Sequence, residues 1–271
     1  MKARILVAVV CIPFLLVIIY ALPPVATVVL VAVLCVISVL EMLTGTGLVK
    51  DRVILVISMI IAAGIPFWSY YSLSIELAVC GVFAYFIAMF AVALCRHQTV
   101  KIGEIFVSFF AAVLIPLFLS SLVRIFRMEY GEYYILIPIA IAFVADAGAY
   151  FVGTFLGKHK MAPQLSPKKT WEGVFGGAAT AVLIMLLYCC VCQFVFGRQP
   201  RYGYAVFYAL IGTVLDYEGD LAFSLIKRQT GIKDYGKVLP GHGGILDRFD
   251  SMVFVAPLTE LLLQILPLFE G

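Results

Sequence analysis

Charged residues are scarce in this chain. Only 13% of its 271 residues are Asp, Glu, Lys or Arg, whereas 63% are hydrophobic, and the mean hydropathy is +1.09. This balance excludes a soluble globular domain, which needs a largely polar surface. The composition therefore predicts an all-α, polytopic integral membrane protein.

Groups for thiol or histidine chemistry are also few. The chain has three histidines and seven cysteines, and nearly all of the cysteines lie inside apolar runs. A free cysteine in such a place behaves as a small hydrophobic residue. Cys189, Cys190 and Cys192 have no His on the same predicted helix, and its acid, Glu172, lies at the opposite end. We therefore interpret them as structural and not as a metal site.

Long apolar runs are abundant. A transmembrane helix needs about 20 mainly apolar residues. We expect the first run, which follows Lys2 and Arg4, to be a retained helix, because it is long for a signal peptide and no clear cleavage site follows. Nine runs are predicted spans: 4–20, 24–43, 53–71, 75–95, 102–123, 133–157, 171–196, 203–226 and 249–269.

The positions of the basic residues predict the orientation. With nine spans, all but four of the 19 Lys and Arg residues fall on one side of the membrane. Cytoplasmic loops carry the excess of Lys and Arg. We therefore expect the N-terminus and the polar loops on the cytoplasmic face.

The two halves of the sequence differ in chemistry. In residues 1–125 the acids Glu41, Glu76 and Glu104 lie near predicted span ends, where acidic side chains can reach water and need no catalytic role. We therefore interpret this half as a membrane scaffold that could also form the surface of a homodimer. Residues 126–271 contain most of the polar clusters and predict a catalytic membrane domain. No nucleic-acid partner is expected.

Asp146 is an acid inside an apolar run. An ionisable residue within a span is costly and marks a functional site by default. Small residues at the spacing Gly153-xxx-Gly157, and again at Gly173-xxx-Gly177, predict close helix packing. We assign Asp146 a functional role because small residues alone would pack without a charge.

A basic loop at residues 157–170 precedes the next span. Pro163 and Pro167 exclude a helix there, and Thr170 occupies a helix N-cap position. Two interpretations stay open from the loop alone. It is either a juxtamembrane basic loop attracted to anionic lipid or a phosphate site. The phosphate site would be formed by Ser166, Lys168, Lys169 and Thr170.

The densest polar block runs from residue 216 to 251. Asp216, Asp220 and Ser224 repeat every four residues, which places them on one helical face with Lys227. Carboxylate oxygens are the ligands that Mg²⁺ takes, with substrate phosphates completing its coordination. The glycine-rich segment 240–244 would allow close approach to a phosphate. These features predict chemistry on a polyphosphate near lipid head groups.

The polar positions resemble the phosphatidate cytidylyltransferase (CDP-diacylglycerol synthase) family. The resemblance covers roughly residues 145–251. Departures from the family pattern are Glu218, Phe223 and Tyr235, which stand where an apolar residue, an acid and a serine are usual. The matching positions are Ala145–Tyr150, Ser166–Gly173, Ser224, Lys227, Arg228, Lys233, Asp234, Gly236, Pro240–Gly244, Asp247, Arg248, Asp250 and Ser251.

The resemblance implies transfer of CMP from CTP to phosphatidate at a bacterial inner membrane, with Mg²⁺ as cofactor and room for a second cation. Asp220, Asp247 and Asp216 are the predicted metal ligands, with Asp250 as a further candidate. Asp220, Asp247, Lys227, Arg248 and Asp146 are the predicted catalytic residues. The predicted substrate-binding residues are Ser166, Lys168, Lys169, Thr170, Glu172, Ser224, Arg228, Lys233, Asp234, His242, Gly243, Gly244 and Asp250.

Other functions remain as alternatives. A CTP-dependent lipid-alcohol kinase or a cytidylyltransferase for another lipid phosphate would use similar groups. A transporter would carry its charges near the midplane in repeated broken helices, and the sequence has no such repeat. We expect the acids of 203–226, Asp146 and the loop 240–248 to line one cytoplasmic funnel that is open to lipid.

Overall fold

The structure is a computed structural model and describes residues 13–238 and 243–270. Residues 13–21 are helical. Two π-helical turns occur: Glu41–Gly45 directly follows the helix that ends at Leu40, and Phe110–Leu114 directly follows the helix that ends at Phe109. In chain order the helices are α1 Pro24–Leu40, α2 Arg52–Tyr71, α3 Ile75–Cys95, α4 Ile102–Phe109, α5 Ile115–Leu119, α6 Ser121–Phe126, α7 Gly131–Tyr134, α8 Leu136–Leu156, α9 Trp171–Phe194, α10 Tyr202–Gln229, α11 Leu246–Phe249 and α12 Met252–Ile265.

Six helical segments in the described residues are long and apolar enough to cross a membrane. They coincide with six of the nine predicted spans. The run 4–20 lies partly outside the described residues, the run 203–226 lies in the long helix α10, which is not among the six, and the last predicted span contains the 14-residue helix α12. The count of nine stays a prediction. The six segments are Pro24–Gly45, Arg52–Tyr71, Ile75–Cys95, Ile102–Phe126, Gly131–Leu156 and Trp171–Phe194.

The predicted loop 157–170 contains a β-hairpin. Strands β1 (Lys160–Ala162) and β2 (Ser166–Thr170) pair antiparallel, with Lys160 opposite Thr170. The chain is therefore not wholly α-helical, although no helix forms here, as the two prolines predict. Thr170 ends β2 and caps α9, because its Oγ1 accepts a hydrogen bond from Gly173 N at 3.2 Å.

The described residues form two compact units. The first comprises the residues up to Glu132 together with Lys227–Phe249, and the second comprises Tyr133–Ile226 with the residues from Asp250 onward. The segment Lys227–Phe249 thus belongs with the N-terminal helices. The predicted division at residues 125 and 126 concerned function and stays a prediction.

Within the first unit, α1 packs along α2, and the short helix α11 also contacts α1. Asp51 caps α2 by accepting hydrogen bonds from Val53 N at 2.8 Å and Ile54 N at 3.2 Å. The Arg96 guanidinium lies 2.5 Å from the second Asp51 oxygen and so ties the start of α2 to the end of α3.

Within the second unit, α8 packs closely along α9, and small residues make this possible. A Cβ built on Gly173 would lie 2.9 Å from the carbonyl oxygen of Ala149 and 3.4 Å from Gly153 Cα. A Cβ on Gly176 or Gly177 would also overlap a neighbouring atom. The predicted packing role of Gly173 and Gly177 is confirmed.

Candidate active site

Helix α10 presents the predicted acidic stripe. It is a continuous helix of 28 residues, so residues four apart lie on one face. Ser224 Oγ donates a hydrogen bond to Asp220 Oδ1 at 3.1 Å, which confirms that the two side chains share that face. Asp216 lies one turn earlier.

Asp216 is the least satisfied acid of the stripe. Its side chain is fully buried, and neither carboxylate oxygen accepts a hydrogen bond of normal geometry from a described residue, although the nearby Ser251 side chain stabilises its charged form. Asp146, Lys169 and Asp220 interact with it electrostatically. An unpaired buried charge costs several kcal/mol. The arrangement therefore calls for a further positive charge, from a bound cation or a proton.

The β-hairpin brings Lys169 to this stripe. Its Nζ lies 2.5 Å from Asp220 Oδ2, as an ion pair and not as a well-directed hydrogen bond. The same ammonium lies 4.7 Å from the centre of the Tyr217 ring, and the Tyr217 hydroxyl donates to Gly173 O at 3.2 Å. A loop attracted only to lipid would not require these contacts.

Asp250 and Ser251 join the stripe from the start of α12. Ser251 Oγ donates to the Asp216 carbonyl oxygen at 2.9 Å, and Ser251 N donates to Asp250 Oδ1 at 2.9 Å. A Cβ on Gly219 would lie 3.0 Å from Ser251 Cα. Close packing at Gly219 thus fixes the backbone around Asp216.

The carboxylates of Asp216, Asp220 and Asp146 are chemically suitable ligands for a divalent cation. Asp216 supplies a buried carboxylate without a well-directed donor, Asp220 is half-buried, and Asp146 is exposed, so the exposure of the acids increases from Asp216 to Asp146. Mg²⁺ prefers such oxygen ligands. Among residues 13–238 and 243–270, no three acidic, His or Cys side chains are already arranged as a metal-ligand set.

A second polar cluster lies within the first unit. Lys227 Nζ donates to Asp247 Oδ1 at 2.9 Å, and both side chains are buried. Asp247 Oδ2 accepts hydrogen bonds from Tyr235 N at 2.8 Å and Gly244 N at 3.0 Å. The Tyr235 ring lies below the ammonium, 5.3 Å from ring centre to Nζ. Asp247 is thus fully satisfied.

Glu41 belongs to the same cluster. Its two carboxylate oxygens accept hydrogen bonds from Ile245 N at 3.0 Å and Leu246 N at 2.8 Å. Glu104, which is also buried, accepts from Lys50 N at 3.0 Å and Lys101 N at 3.3 Å. The expectation that both acids reach water is therefore wrong, because backbone amides take the place of water.

The remaining predicted site residues lie in varied surroundings. Thr170 caps α9, and Glu172 pairs with His159, whose Nδ1 lies 2.6 Å from Glu172 Oε1. Arg228 is exposed and donates to Ile232 O at 3.4 Å. His242 lies outside the described residues. Ser166 and Gly243 are partly buried, and the exposed predicted residues are Lys168, Lys233, Asp234 and Arg248.

Four contributors were missed by sequence reasoning. Glu41 gave no signal beyond being an acid near a span end, and His159 was only one polar residue in a basic loop. The sequence could have pointed to the two tyrosines, because Tyr217 is adjacent to Asp216 and Tyr235 departs from the family pattern. Both tyrosines form the aromatic surface below a lysine.

Comparison with known proteins gives consistent matches. Phosphatidate cytidylyltransferase of Bacillus subtilis (strain 168) is 39% identical over 186 residues, covering 66% of this chain and 68% of that protein. The proteins of the same name from Staphylococcus epidermidis (strain ATCC 12228) and Staphylococcus aureus (strain COL) are 43% identical over 133 residues, about half the length of each. The model of the cytidylyltransferase family matches residues 2–266. The chain therefore belongs to the cytidylyltransferase family.

Proposed function

We propose that this protein transfers CMP from CTP to phosphatidate, giving CDP-diacylglycerol and pyrophosphate. The names of the similar bacterial proteins support this activity. The observation that carries it in this chain is the buried Asp216 carboxylate without a well-directed donor, beside the Lys169–Asp220 ion pair. A charge-rich cluster of this kind suits a nucleotide and a cation.

The reaction needs no strong general base. A phosphate oxygen of phosphatidate, already anionic near neutral pH, attacks the α-phosphorus of CTP. A new P–O bond forms, the bond between the α-phosphorus and its bridging oxygen breaks, and pyrophosphate leaves with that electron pair. The difficulty is repulsion between two polyanions, together with the charge that develops on the leaving group. Fixed positive groups answer both problems.

The buried Lys227 and the partly buried Lys169 supply such groups. In the ground state Lys169 is paired with Asp220 and Lys227 with Asp247. We propose that each ammonium also contacts a phosphate oxygen while its carboxylate keeps it oriented. Because both lysines are held against aromatic rings, they lose little freedom when a phosphate binds.

The proposed cofactor is Mg²⁺, held by Asp216 and Asp220 with Asp146 beside them. When bound, it would neutralise phosphate charge and stabilise the leaving pyrophosphate. The contacts of Asp247 favour a role in orienting Lys227, since its oxygens already accept three donors. Its predicted role as a metal ligand, that of Asp250 and a second cation stay predictions.

We propose the membrane topology, location and homodimer that the sequence predicts. The chain has nine spans, a cytoplasmic N-terminus and a location in a bacterial inner membrane, with a homodimer formed through the membrane helices. The bacterial relatives and the six long apolar helices support this proposal. Cross-linking of single-cysteine variants along α3 in membranes tests the homodimer.

Product analysis tests the activity. Purified protein in detergent is given phosphatidate, Mg²⁺ and CTP labelled either at the α- or at the γ-phosphate. We expect α-label in the lipid and release of γ-labelled pyrophosphate. Label from the γ-position in the lipid would show a kinase instead. Absence of lipid labelling and of pyrophosphate release would reject both enzymes and favour transport.

A further inference from the structure

Glu41 lies in a part of the chain that sequence reasoning treats as scaffold. It begins the π-helical turn that ends the first described span, and only 5% of its surface is exposed. Its hydrogen bonds to Ile245 N and Leu246 N join residues more than 200 positions apart in the sequence. Both partners belong to the same unit as Glu41.

The backbone around Glu41 is shaped to admit its carboxylate. A Cβ built on Gly236 or on Gly244 would overlap the Glu41 carboxyl group. A Cβ on Gly45, one turn after Glu41, would overlap the carbonyl group of Tyr235. Three glycines therefore allow the turn Glu41–Gly45 to approach residues 235–236 and 244–246 more closely than other residues permit.

Glu41 and Asp247 divide the amides of one turn between them. Asp247 Oδ2 accepts from Gly244 N, whereas Glu41 accepts from the next two amides, Ile245 N and Leu246 N. The orientation of Asp247 thus depends on a turn that Glu41 holds. Asp247 in turn holds the Lys227 ammonium at 2.9 Å.

A purely structural role does not require an acid at this position. A buried ionised group costs free energy unless it is fully hydrogen-bonded, and apolar replacements often serve stability equally well. The requirement for two acceptor oxygens comes from the two adjacent amides. Fixing these amides fixes the backbone immediately before Asp247.

We infer that Glu41 is a positioning residue for the reaction: it holds the turn 244–246 so that Asp247 keeps Lys227 oriented toward phosphate. The effect on turnover rests on the proposed function, whereas the effect on the turn does not. The first described span is accordingly part of the working site and not only a membrane anchor.

Isosteric substitution tests this role in the full-length protein in detergent. Glu41→Gln keeps one acceptor but places an amide donor against a backbone donor. We expect kcat to fall roughly 10- to 100-fold, as for a slight misplacement of catalytic groups. The KM for CTP should change much less, because Lys227 acts mainly on charge that develops during reaction.

Glu104→Gln is the matched control. Glu104 is also buried in the first unit and also accepts two backbone N–H hydrogen bonds, but its donors are Lys50 and Lys101. We expect near-normal kcat for this variant. Equal losses of kcat in both variants would mean that any buried acid in this unit is needed for folding, and would overturn the positioning role.

Hydrogen exchange gives a readout that does not depend on activity. In Glu41→Gln, amide exchange in peptides covering residues 243–250 should accelerate, while exchange in the hairpin 160–170 stays unchanged. Unchanged exchange at 243–250 would overturn the inference even if activity fell. If the wild type lacks CTP-dependent activity, the proposed function fails, and exchange still decides whether Glu41 holds the turn.

A double-mutant cycle tests the contact directly if Glu41→Gln does not fold. Gly236→Ala alone should be severely impaired by overlap with Glu41, and Glu41→Asp withdraws the carboxylate by one methylene. Residues in contact give non-additive effects. We expect the Gly236→Ala/Glu41→Asp protein to be at least as active as Gly236→Ala alone. Additive losses would contradict the contact.

Discussion

Asp216 and Asp247 are both buried acids in the polar block, yet their surroundings are opposite. Asp247 accepts hydrogen bonds from Lys227 and from two backbone amides, and so its charge is compensated by the protein itself. Asp216 accepts no hydrogen bond of normal geometry from the described residues, has only the Ser251 side chain nearby to stabilise its charge by hydrogen bonding, and lies near other acids. The difference shows that Asp247 is built to hold a fixed geometry, whereas Asp216 is suited to bind a cation.

The largest expected effect comes from removing the charge of Asp216. Asp216→Asn should reduce turnover by roughly 10²- to 10³-fold, comparable to the loss of one electrostatic contact in a transition state. In a chelator the same variant should unfold at a higher temperature than the wild type, because Asn neither buries a charge nor has to take up a proton on folding. Label transfer to lipid and thermal unfolding measure the two effects.

A lower unfolding temperature for Asp216→Asn in chelator would contradict this view of Asp216. Asp220→Asn serves as the comparison for activity, since Asp220 is half-buried and paired with Lys169. We expect a similar loss of turnover there, but no gain in stability. Normal activity of both variants at low Mg²⁺ would remove them from the metal role.

At Asp247 the same Asp→Asn substitution should lower the stability of the protein and not raise it. Asp247→Asn leaves the buried Lys227 ammonium without its counter-charge, which costs about 3–5 kcal/mol of unfolding free energy. Denaturant unfolding in detergent measures this loss. Adding Lys227→Met should restore much of the stability without restoring activity. If the double variant stays as unstable as Asp247→Asn, the ion pair is not the source of the effect.

A smaller effect is expected at Lys169. Lys169→Ala removes a charge-assisted contact worth roughly 1.5–3 kcal/mol, or about one to two decades in rate or apparent affinity for CTP. Lys101→Ala removes a lysine outside both clusters and should change little. Arg248→Ala shows whether an exposed basic residue also contributes to the rate or to the apparent affinity for CTP. Equal losses in all three variants would indicate general surface electrostatics.

The smallest effect concerns access. Ser166→Cys in the hairpin, with other reactive cysteines replaced, should react with an impermeant thiol reagent from the cytoplasmic side, and CTP should slow the reaction a few-fold. Ser251→Cys should react slowly, because Ser251 is buried and bonded to Asp216 O. Labelling of Ser166→Cys only from the opposite side would overturn the proposed topology.

Local patterns made much of the fold predictable. Apolar run length located six long helices, the hydroxyl of Thr170 marked the start of α9, and small residues marked the α8–α9 packing. Four-residue spacing placed Asp220 and Ser224 on one face. Each of these features depends on residues close together in the chain, or on a property of the helix surface alone.

The rest depends on contacts between distant residues. The hairpin 160–170 was missed because its strands are short and because one proline lies in β2 and another in the turn that follows β1. Glu41 was missed because its partners are backbone amides, which carry no side-chain signature, and lie about 200 residues away. Tyr235 was recognised only as a departure, since its contact with Lys227 depends on the folded turn.

The long separation between Glu41 and its partners has a consequence for synthesis in the cell. The ribosome adds roughly 5–20 residues per second, so Glu41 is made about 10–40 s before Ile245 and Leu246. During that interval its carboxyl group must be protonated or solvated by water at the membrane surface. A chain that stops before residue 245 never supplies the two amides, and its first described span keeps an acid without these two donors.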